Sequence, residues 1–494
     1  MMLLLLAGQT HAAAYYFLDS GTRAIGRGGA FVAGADDLSA QYYNPAALSH
    51  IQRPMFNFNL WGVQQYVKFE RMDVDGEGSC DPNCEPVTNE AAPMVEPAGG
   101  VAFPLGKAVP FLEGSTFAFG LYVPTSPNMA FDPNGAQRYG LIDSLIWQIY
   151  AGPSVALHTP KLPWLTLGVG LQYTLLRADE SLAVSAVLDY DGSEGSNPPA
   201  YSDDASSDVV LDLHSWDFFK PSANVGLLIT PTPWLEIGAS LQPPITYKAR
   251  GDLSVEFNKD HFFNSLLEES EGPCAAEKKM ESGGCPPRSV DEDVLLTVTV
   301  PLILRAGVQV QPIKPLKVEA AFTWTQWSAG KSLDITDVNL KLKTKDSLLQ
   351  LEDIEITDDV NIPTGFVDAW SVRLGGDLRV SPWARISLGG YYESSAVPSK
   401  RQGVAVVDTP KWGLGAGASF DIKKRASIDI SFGEQFLADR TITDSDVRQI
   451  TLQTNPLDTQ DSVVGEGIVV GNGHFESRLT FISVGGTVYF GKTE

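Results

Sequence analysis

The chain has 494 residues, and its 36 lysines and arginines stand against 60 aspartates and glutamates, which gives a formal net charge of −24. This acidic balance argues against a nucleic-acid partner. Apolar residues make up 43% and charged residues 19% of the chain, so the composition is neither disordered nor collagen-like. No run reaches about 18 consecutive apolar residues, which excludes a membrane-spanning helix and leaves a membrane β-barrel open.

The N-terminus resembles an export signal. An apolar run, residues 1–7, is followed by Ala12, Ala13 and Ala14, which fit the small-residue rule for cleavage before Tyr15. The usual basic residues are missing, so we expect the written start to be truncated or misplaced. We interpret residues 1–14 as a signal peptide; the alternative is a short buried terminal segment.

Four cysteines lie in polar segments, as Cys80 and Cys84 and as Cys274 and Cys285. In an oxidising compartment each pair would form a disulfide within a loop. A zinc site would need more closely spaced cysteines or a nearby histidine. We therefore predict two disulfides, no metal site and no cofactor.

Two-residue alternation dominates from residue 54 onward. Apolar residues occupy nearly every second position in segments such as 298–310, 370–380 and 426–432, which is the period of a β-strand with two unlike faces. Short turns and long polar segments alternate between about fourteen such strands, as in outer-membrane barrels with tight periplasmic turns and long outer loops. The sequence thus predicts an all-β fold: a transmembrane antiparallel β-barrel over residues 54–490, with a short tail at 491–494.

Alternation alone does not say which face is outside. A membrane barrel turns its apolar face to lipid, whereas a soluble barrel turns it inward. The membrane is favoured because about fourteen strands enclose a lumen too wide for side chains to fill, and because aromatic residues at strand ends resemble interfacial girdles. These aromatics are Trp164, Trp234, Trp383, Tyr489 and Phe490.

Residues 15–53 do not alternate and instead mix short helical pieces with glycine turns. Within them, GRGGAFVAGADDLSAQYYNPAAL at 26–48 resembles the hatch signature of the FadL/TodX family of outer-membrane channels for long-chain fatty acids and hydrocarbons. FGLYVP at 119–124, TWTQWS at 323–328 and the segment 373–398 are similar to further family elements.

The resemblance implies a fourteen-strand barrel in the bacterial outer membrane, surrounded by lipid and lipopolysaccharide, whose N-terminal hatch at 15–53 blocks the lumen. It implies that Asn44, Pro45 and Ala46 lie beside a kink in the third strand. A long-chain fatty acid, alkane or aromatic compound would be captured at the outer loops, pass to an apolar pocket and leave sideways through the wall. Such transport would be passive.

Candidate hatch or gating residues follow from the same segment, and a merely structural plug is the alternative for all of them. They are Arg23, Arg27, Gly28, Gly29, Asp36, Asp37, Asn44, Pro45 and Ala46.

Arginines on the wall form a second group of candidates. Arg305, Arg373, Arg379 and Arg385 either pair with wall acids such as Glu236, Glu319, Asp377 and Asp429 or bind a ligand carboxylate. The remaining pocket candidates are Phe31 in the hatch and, near the proposed kink, Phe117, Phe119, Leu121 and Tyr122, for which lipid contact is the alternative.

No catalytic motif is convincing. Residues 486–493 match the spacing of a phosphate-binding loop, but such a loop must open a helix, and the chain given ends at Glu494. The six histidines are isolated. We expect a transport barrel rather than an enzyme, with an adhesive or structural barrel, a general porin and a secreted soluble β-protein as alternatives.

Overall fold

The structure is a computed structural model that describes residues 19–72, 85–106, 109–124, 128–188, 205–270, 274, 278–280, 282–345, 353–357, 359–454 and 463–491. Several expectations fall outside these residues: the signal peptide at 1–14, the first part of the hatch at 15–18, the pair Cys80 and Cys84, and the end of the tail at 492–494. They stay predictions.

A closed antiparallel barrel of fourteen strands dominates the fold. Its members are β1 (Met55–Arg71), β3 (Met94–Pro104), β4 (Thr116–Tyr122), β6 (Asp143–His158), β7 (Leu165–Leu188), β8 (Asp208–Thr232), β9 (Leu235–Gln242), β12 (Leu302–Ile313), β13 (Leu316–Gln326), β18 (Ala369–Ser381), β19 (Ala384–Glu393), β20 (Lys411–Ile422), β21 (Ala426–Leu437) and β25 (Gly473–Tyr489). Each strand pairs with the next, and β25 also pairs with β1. The predicted fold class and strand number are confirmed.

Further strands, outside the ring of fourteen, lie at the end opposite the short turns. They are β2 (Val87–Thr88), β5 (Asn128–Ala130), β10 (Ile245–Phe257), β11 (Arg288–Val300), β14 (Ser332–Thr336), β15 (Leu340–Leu342), β16 (Ile354–Ile356), β17 (Val360–Pro363), β22 (Arg440–Ile442), β23 (Arg448–Thr454) and β24 (Val463–Val469). The strand β10 continues the line of β9 after Pro243 and Pro244, and β11 leads into β12 through Pro301. The predicted disulfide between Cys274 and Cys285 is present in the loop after β10.

Helices are few and short. They are α1 (Thr22–Gly26), α2 (Ala40–Tyr43) and the 3-10 segments Pro45–His50, Pro110–Leu112, Ala205–Ser207, Phe262–Ser265, Trp327–Ala329 and Ser399–Arg401. Within the described ranges, no helix has the length and apolar composition that a membrane crossing requires.

Burial resolves the question of the faces. Leu374, Leu388 and Leu414 are 59%, 65% and 63% exposed on the outside of the barrel, whereas Arg373 and Ser387, which alternate with them, are buried inside. A soluble barrel would bury the apolar set. The exposed apolar band is therefore the lipid-facing surface of a transmembrane barrel.

Aromatic side chains mark both edges of this band. Trp164, Trp234 and Trp383 are exposed at the end with the short turns, as the sequence predicts for an interfacial girdle. At the other edge the rings of Tyr392 and Trp412 on neighbouring strands lie 5.5 Å apart. Aromatic girdles at both interfaces are typical of outer-membrane barrels.

A charge placed in the middle of the band should destabilise the barrel more than one placed at its edge. We expect Leu388→Arg to lower the free energy of unfolding by about 2–4 kcal/mol. Val380→Arg, near the short-turn girdle, should lower it by about 0–1 kcal/mol. Urea unfolding in lipid vesicles measures both values. Equal costs for the two variants would contradict the assignment of the lipid-facing band.

Candidate functional site

The hatch fills the lumen near the short turns. From Asp19 to Leu48, every residue except Asp36 and Ser39 is buried. Its two short helices and the 3-10 segment Pro45–His50 lie against strands on opposite sides of the barrel. The predicted plug therefore fits closely against the wall.

Glycines on the inner face of the wall allow this close fit. An ideal Cβ on Gly389 would lie 2.0 Å from the carbonyl oxygen of Arg27, and one on Gly415 would lie 2.0 Å from that of Ile25. On the opposite side, Cβ atoms on Gly168 and Gly226 would lie 2.1 Å from the Ala46 nitrogen and the Asn44 Oδ1. Only a residue without a side chain lets the hatch backbone come so near.

The carboxylate of Glu319, on β13, is the strongest connection between wall and hatch. Its Oε1 accepts hydrogen bonds from the backbone N–H groups of Val32 (2.6 Å) and Ala33 (2.8 Å), and its Oε2 accepts one from Gly34 (3.0 Å). The side chain is completely buried. Three successive amides around one carboxylate form an anion-binding concavity, here occupied by the protein's own wall.

The guanidinium group of Arg27 completes this anchor. It lies 3.0 Å from Glu319 Oε2 and 3.1 Å from Asp377 Oδ2, and it donates a hydrogen bond to Gln309. Phe31 packs beneath it, with its ring centre 5.1 Å away. Arg27 thus forms a hatch-to-wall ion pair, and Phe31 belongs to the hatch interior rather than to a ligand pocket.

Neighbouring charges are paired as well. Arg23 forms an ion pair with Asp36, which also lies 3.4 Å from Arg385. On the outer side of the hatch, Arg373 lies 2.6 Å from Asp19 and 3.3 Å from Glu393. Arg373 therefore pairs with one hatch acid and one wall acid, and Arg385 pairs with a hatch acid.

Asn44 fastens two hatch segments to the wall. Its Nδ2 donates hydrogen bonds to the carbonyl oxygens of Val32 and Leu227, both at 3.0 Å, and its Oδ1 accepts one from Ala46 N at 3.1 Å. The following Pro45 opens the 3-10 segment, where its missing N–H costs nothing.

The hatch meets the wall around the third strand along several residues. Asn44 and Ala46 lie against β7 and β8, at Gly168 and Gly226, and the 3-10 segment that Pro45 opens also contacts the third strand, β4. Leu38 and Gln41 contact β4 at Gly120.

Several pocket candidates point elsewhere. Phe117, Phe119 and Leu121 occupy the outward positions of β4, because its inward positions carry small residues under the hatch. They contact lipid, which was the alternative interpretation. Arg379 is exposed at the short-turn end, far from any enclosed pocket.

Tyr122 is the exception, since it faces the lumen at the end of β4. Its ring stacks on Tyr150 with 5.2 Å between centres and lies 5.4 Å from Tyr42 of the hatch. The guanidinium carbon of Arg305 lies 4.3 Å above the Tyr42 ring. Arg305 is 2% exposed, and its Nη2 has no hydrogen-bond partner in the described part of the chain.

This group of side chains above the hatch, Tyr42, Tyr122, Tyr150 and Arg305, is called the tyrosine pocket below. Sequence analysis found Tyr122 and Arg305 but missed Tyr42 and Tyr150. The inward parity of Tyr150 in the alternation of 143–158 was the available signal. Among the described residues, no group of three or more His, Cys, Asp or Glu side chains could hold a metal ion.

The catalytic alternative gains no support from the fold. Residues 486–489 of the phosphate-loop-like match belong to β25. A phosphate loop would instead need to open a helix.

Solved structures with the same architecture place the chain among known proteins. A Pseudomonas aeruginosa FadL homologue is 17% identical with a TM-score of 0.70, covering 97% of this chain and 100% of that one. The Pseudomonas putida toluene transporter TodX is 14% identical with a TM-score of 0.59, covering 98% and 100%. The Ralstonia pickettii toluene transporter TbuX is 15% identical with a TM-score of 0.56, covering 95% and 98%. A comparison with curated protein sequences gives no match.

The lipid-facing band, the closed ring and the buried hatch define a plugged β-barrel of the outer membrane. The model of one family, outer membrane protein transport protein (OMPP1/FadL/TodX), matches residues 3–471. The chain belongs to this family of outer-membrane channels for hydrophobic compounds.

Removing the Glu319 side chain should undock the hatch. Glu319→Ala leaves three buried N–H groups and Arg27 without this partner, and breaking a buried ion pair costs about 3–5 kcal/mol. We expect protease cleavage within residues 19–51 and new ion conductance, while the barrel keeps its heat-dependent mobility on gels.

The matched control is Glu355→Ala, which removes an exposed pair with Lys341. It should leave the hatch protected. Equal protection of Glu319→Ala and the parent protein would show that the carboxylate does not hold the hatch.

Hatch stability should also depend on pH through Asp37. Burial raises the pKa of this carboxyl group to about 6; Arg23 opposes the shift and Asp36 adds to it. Because the pKa of Asp37 is higher in the folded protein, its protonated form stabilises the folded hatch. This stabilisation is fully present below the ordinary pKa near 3.8 and is lost as the pH rises through 6.

Asp37→Asn should therefore increase protection of hatch amides from hydrogen exchange at pH 8 and change little at pH 4. Exchange measured at both values tests the sign. A larger gain at pH 4 than at pH 8 would contradict it.

Proposed function

We propose that the protein imports hydrophobic compounds passively, with long-chain fatty acids, alkanes and aromatic compounds as the substrate class, and releases them sideways through the wall at the third strand. The observation that carries the proposal is a closed axial path combined with an interrupted wall beside the tyrosine pocket.

The axial path is closed by the hatch. Its backbone lies against wall glycines on both sides, and Glu319 and Arg27 are buried between hatch and wall. A solute travelling along the axis would have to displace these ion pairs. Sideways release needs no such step.

The third strand supplies a side opening. The pairing of β4 with β3 ends at Leu121 and Gly99, and the next described strand of this line, β5, pairs only with β6. Val95 to Ala98 of β3 pair with β1 on their other edge. Residues 125–127, between these flanks, lie outside the described part of the chain.

The pocket beside this opening suits an apolar solute. Tyr122 ends β4 with its ring in the lumen, in contact with Tyr42 and Tyr150. Aromatic rings offer large apolar faces. Exposing an apolar solute to water again would cost roughly 25 cal/mol per Å² of apolar surface. A solute that passes from these rings directly into lipid avoids this cost.

Arg305 supports fatty acids within this class. It is a buried guanidinium group with an unused N–H beside the Tyr42 ring. A carboxylate is the natural partner of such a group. Arg373 is less suited, because Asp19 and Glu393 already neutralise it.

The names of similar structures agree with the class of solute. Two of them are toluene transporters, and a third, CymD, is a monoaromatic hydrocarbon channel, 14% identical with a TM-score of 0.58. The hatch argues against a general porin. The experiment below also separates import from adhesion.

The test is mass spectrometry of organic extracts from the folded, detergent-purified protein, with an unrelated barrel from the same host and detergent as control. Uptake of radiolabelled oleate and toluene by cells producing each barrel accompanies it. We expect selective enrichment and faster uptake. Steady ion conductance without enrichment would indicate a porin, and absence of enrichment, uptake and conductance would favour an adhesive barrel.

A further inference from the structure

The wall has a second interruption, on the other side of the tyrosine pocket. Pairing between β8 and β9 ends at Val225 and Leu241, and pairing of β8 with β10 resumes only at Trp216 and Arg250. Residues 217–224 and 242–249, all within the described part of the chain, share no main-chain hydrogen bond. We call this gap the second window.

Local sequence explains the gap. Pro243 and Pro244 lie between β9 and β10 and offer no N–H donor. On the facing strand, the register between β7 and β8 shifts after Thr174, which leaves Phe218 and Phe219 in a bulge. A bulge on one edge and two prolines on the other prevent a continuous ladder.

The second window lies at the outer edge of the lipid-facing band. Depth can be counted in residues from the short-turn end of the barrel. By this count Ile245, along β9 and β10, lies at the same depth as Trp412, along β20, which belongs to the outer aromatic row. Phe218 and Phe219 are 56% and 80% exposed beside it. Unpaired backbone is not tolerated against lipid tails, but it is tolerated where it lines a cavity.

The rim of the second window is polar. Asp217 Oδ2 accepts the backbone N–H of Lys248 at 3.0 Å, which is a single bond across the gap. Lys248 is exposed on the outer face of β10, whereas Lys220 pairs with the buried Thr174 and lies on the inner face of β8. An exposed amine at the membrane interface attracts an anionic head group.

On its lumen side, the second window meets the tyrosine pocket. Tyr247 of β10 is completely buried behind the gap. On the other side of the gap, Thr174 of β7 is buried and pairs with Tyr150 of β6, and Tyr150 stacks on Tyr122 at the third strand. Buried inward-facing side chains on successive strands therefore lie between the two interruptions of the wall.

We propose that the second window is a lateral inlet through which amphipathic carboxylates dissolved in the outer leaflet reach the tyrosine pocket. Lys248 contacts the head group at the outer rim, Lys220 lies on the inner face beyond the gap, and the buried Tyr247 blocks the passage between them. A solute using this route crosses the lumen from one side opening to the other without leaving an apolar environment. The inference rests on the proposed function, because it adds an inlet to the proposed outlet.

The experiment blocks the second window after folding. Thr246, exposed at the window, is changed to Cys, and the purified folded protein is labelled with a bulky maleimide. The control is Glu434→Cys, on the outer face of β21, where pairing with β20 and β25 is continuous. The labelled parent protein controls for reaction at the natural cysteines, and mass shifts confirm each label.

The readout is the initial rate at which radiolabelled oleate is transferred out of vesicles that contain it. The rate is measured before and after the maleimide reaction. We expect labelled Thr246→Cys to lose most of its rate, while labelled Glu434→Cys and labelled parent keep theirs. An unchanged rate in labelled Thr246→Cys would overturn the inlet and leave the proposed function standing. Absence of transfer by the unlabelled parent would instead overturn the proposed function itself.

Discussion

The structure depends on one buried carboxylate. Glu319 accepts three backbone hydrogen bonds from residues 32–34 and pairs with Arg27 of the same hatch. A buried anion is stable only when such partners surround it, so wall and hatch stabilise each other. Because the hatch is fastened at this point, the lumen has no open axis, and the side walls become the available routes.

The wall is shaped around the plug it holds. Several inward positions that the hatch backbone approaches carry glycine, as at Gly226 and Gly389, and the bulky apolar residues of the same strands point to lipid. One alternating pattern therefore serves two purposes. It gives the barrel an apolar exterior, and it leaves room inside for a plug that contacts the wall through its main chain and shares a buried apolar cluster with it.

Sequence reasoning reached the barrel, the strand number and the Cys274–Cys285 disulfide because these depend on local period and spacing. It placed Tyr122 and Arg305 near the pocket, but it also grouped Phe117 and Phe119 with them. These phenylalanines point outward because they alternate with Ala118 and Gly120, which face the lumen, and the contact of Gly120 with hatch residues Leu38 and Gln41 is remote in sequence. The hatch contacts of Glu319 and the wall contacts of Asn44 could not be predicted from the sequence either, because both depend on how the hatch folds inside the lumen.

The central claim is that solutes pass while the hatch stays in place. Thr22 Oγ1 of α1 and Ser483 Oγ of β25 lie 2.6 Å apart, so Thr22→Cys combined with Ser483→Cys should form a disulfide that ties the hatch to the wall. The measurement is oleate uptake by this variant in oxidised and reduced form, with the parent treated identically. The account predicts equal uptake in both forms. Loss of uptake on oxidation that returns on reduction would contradict it.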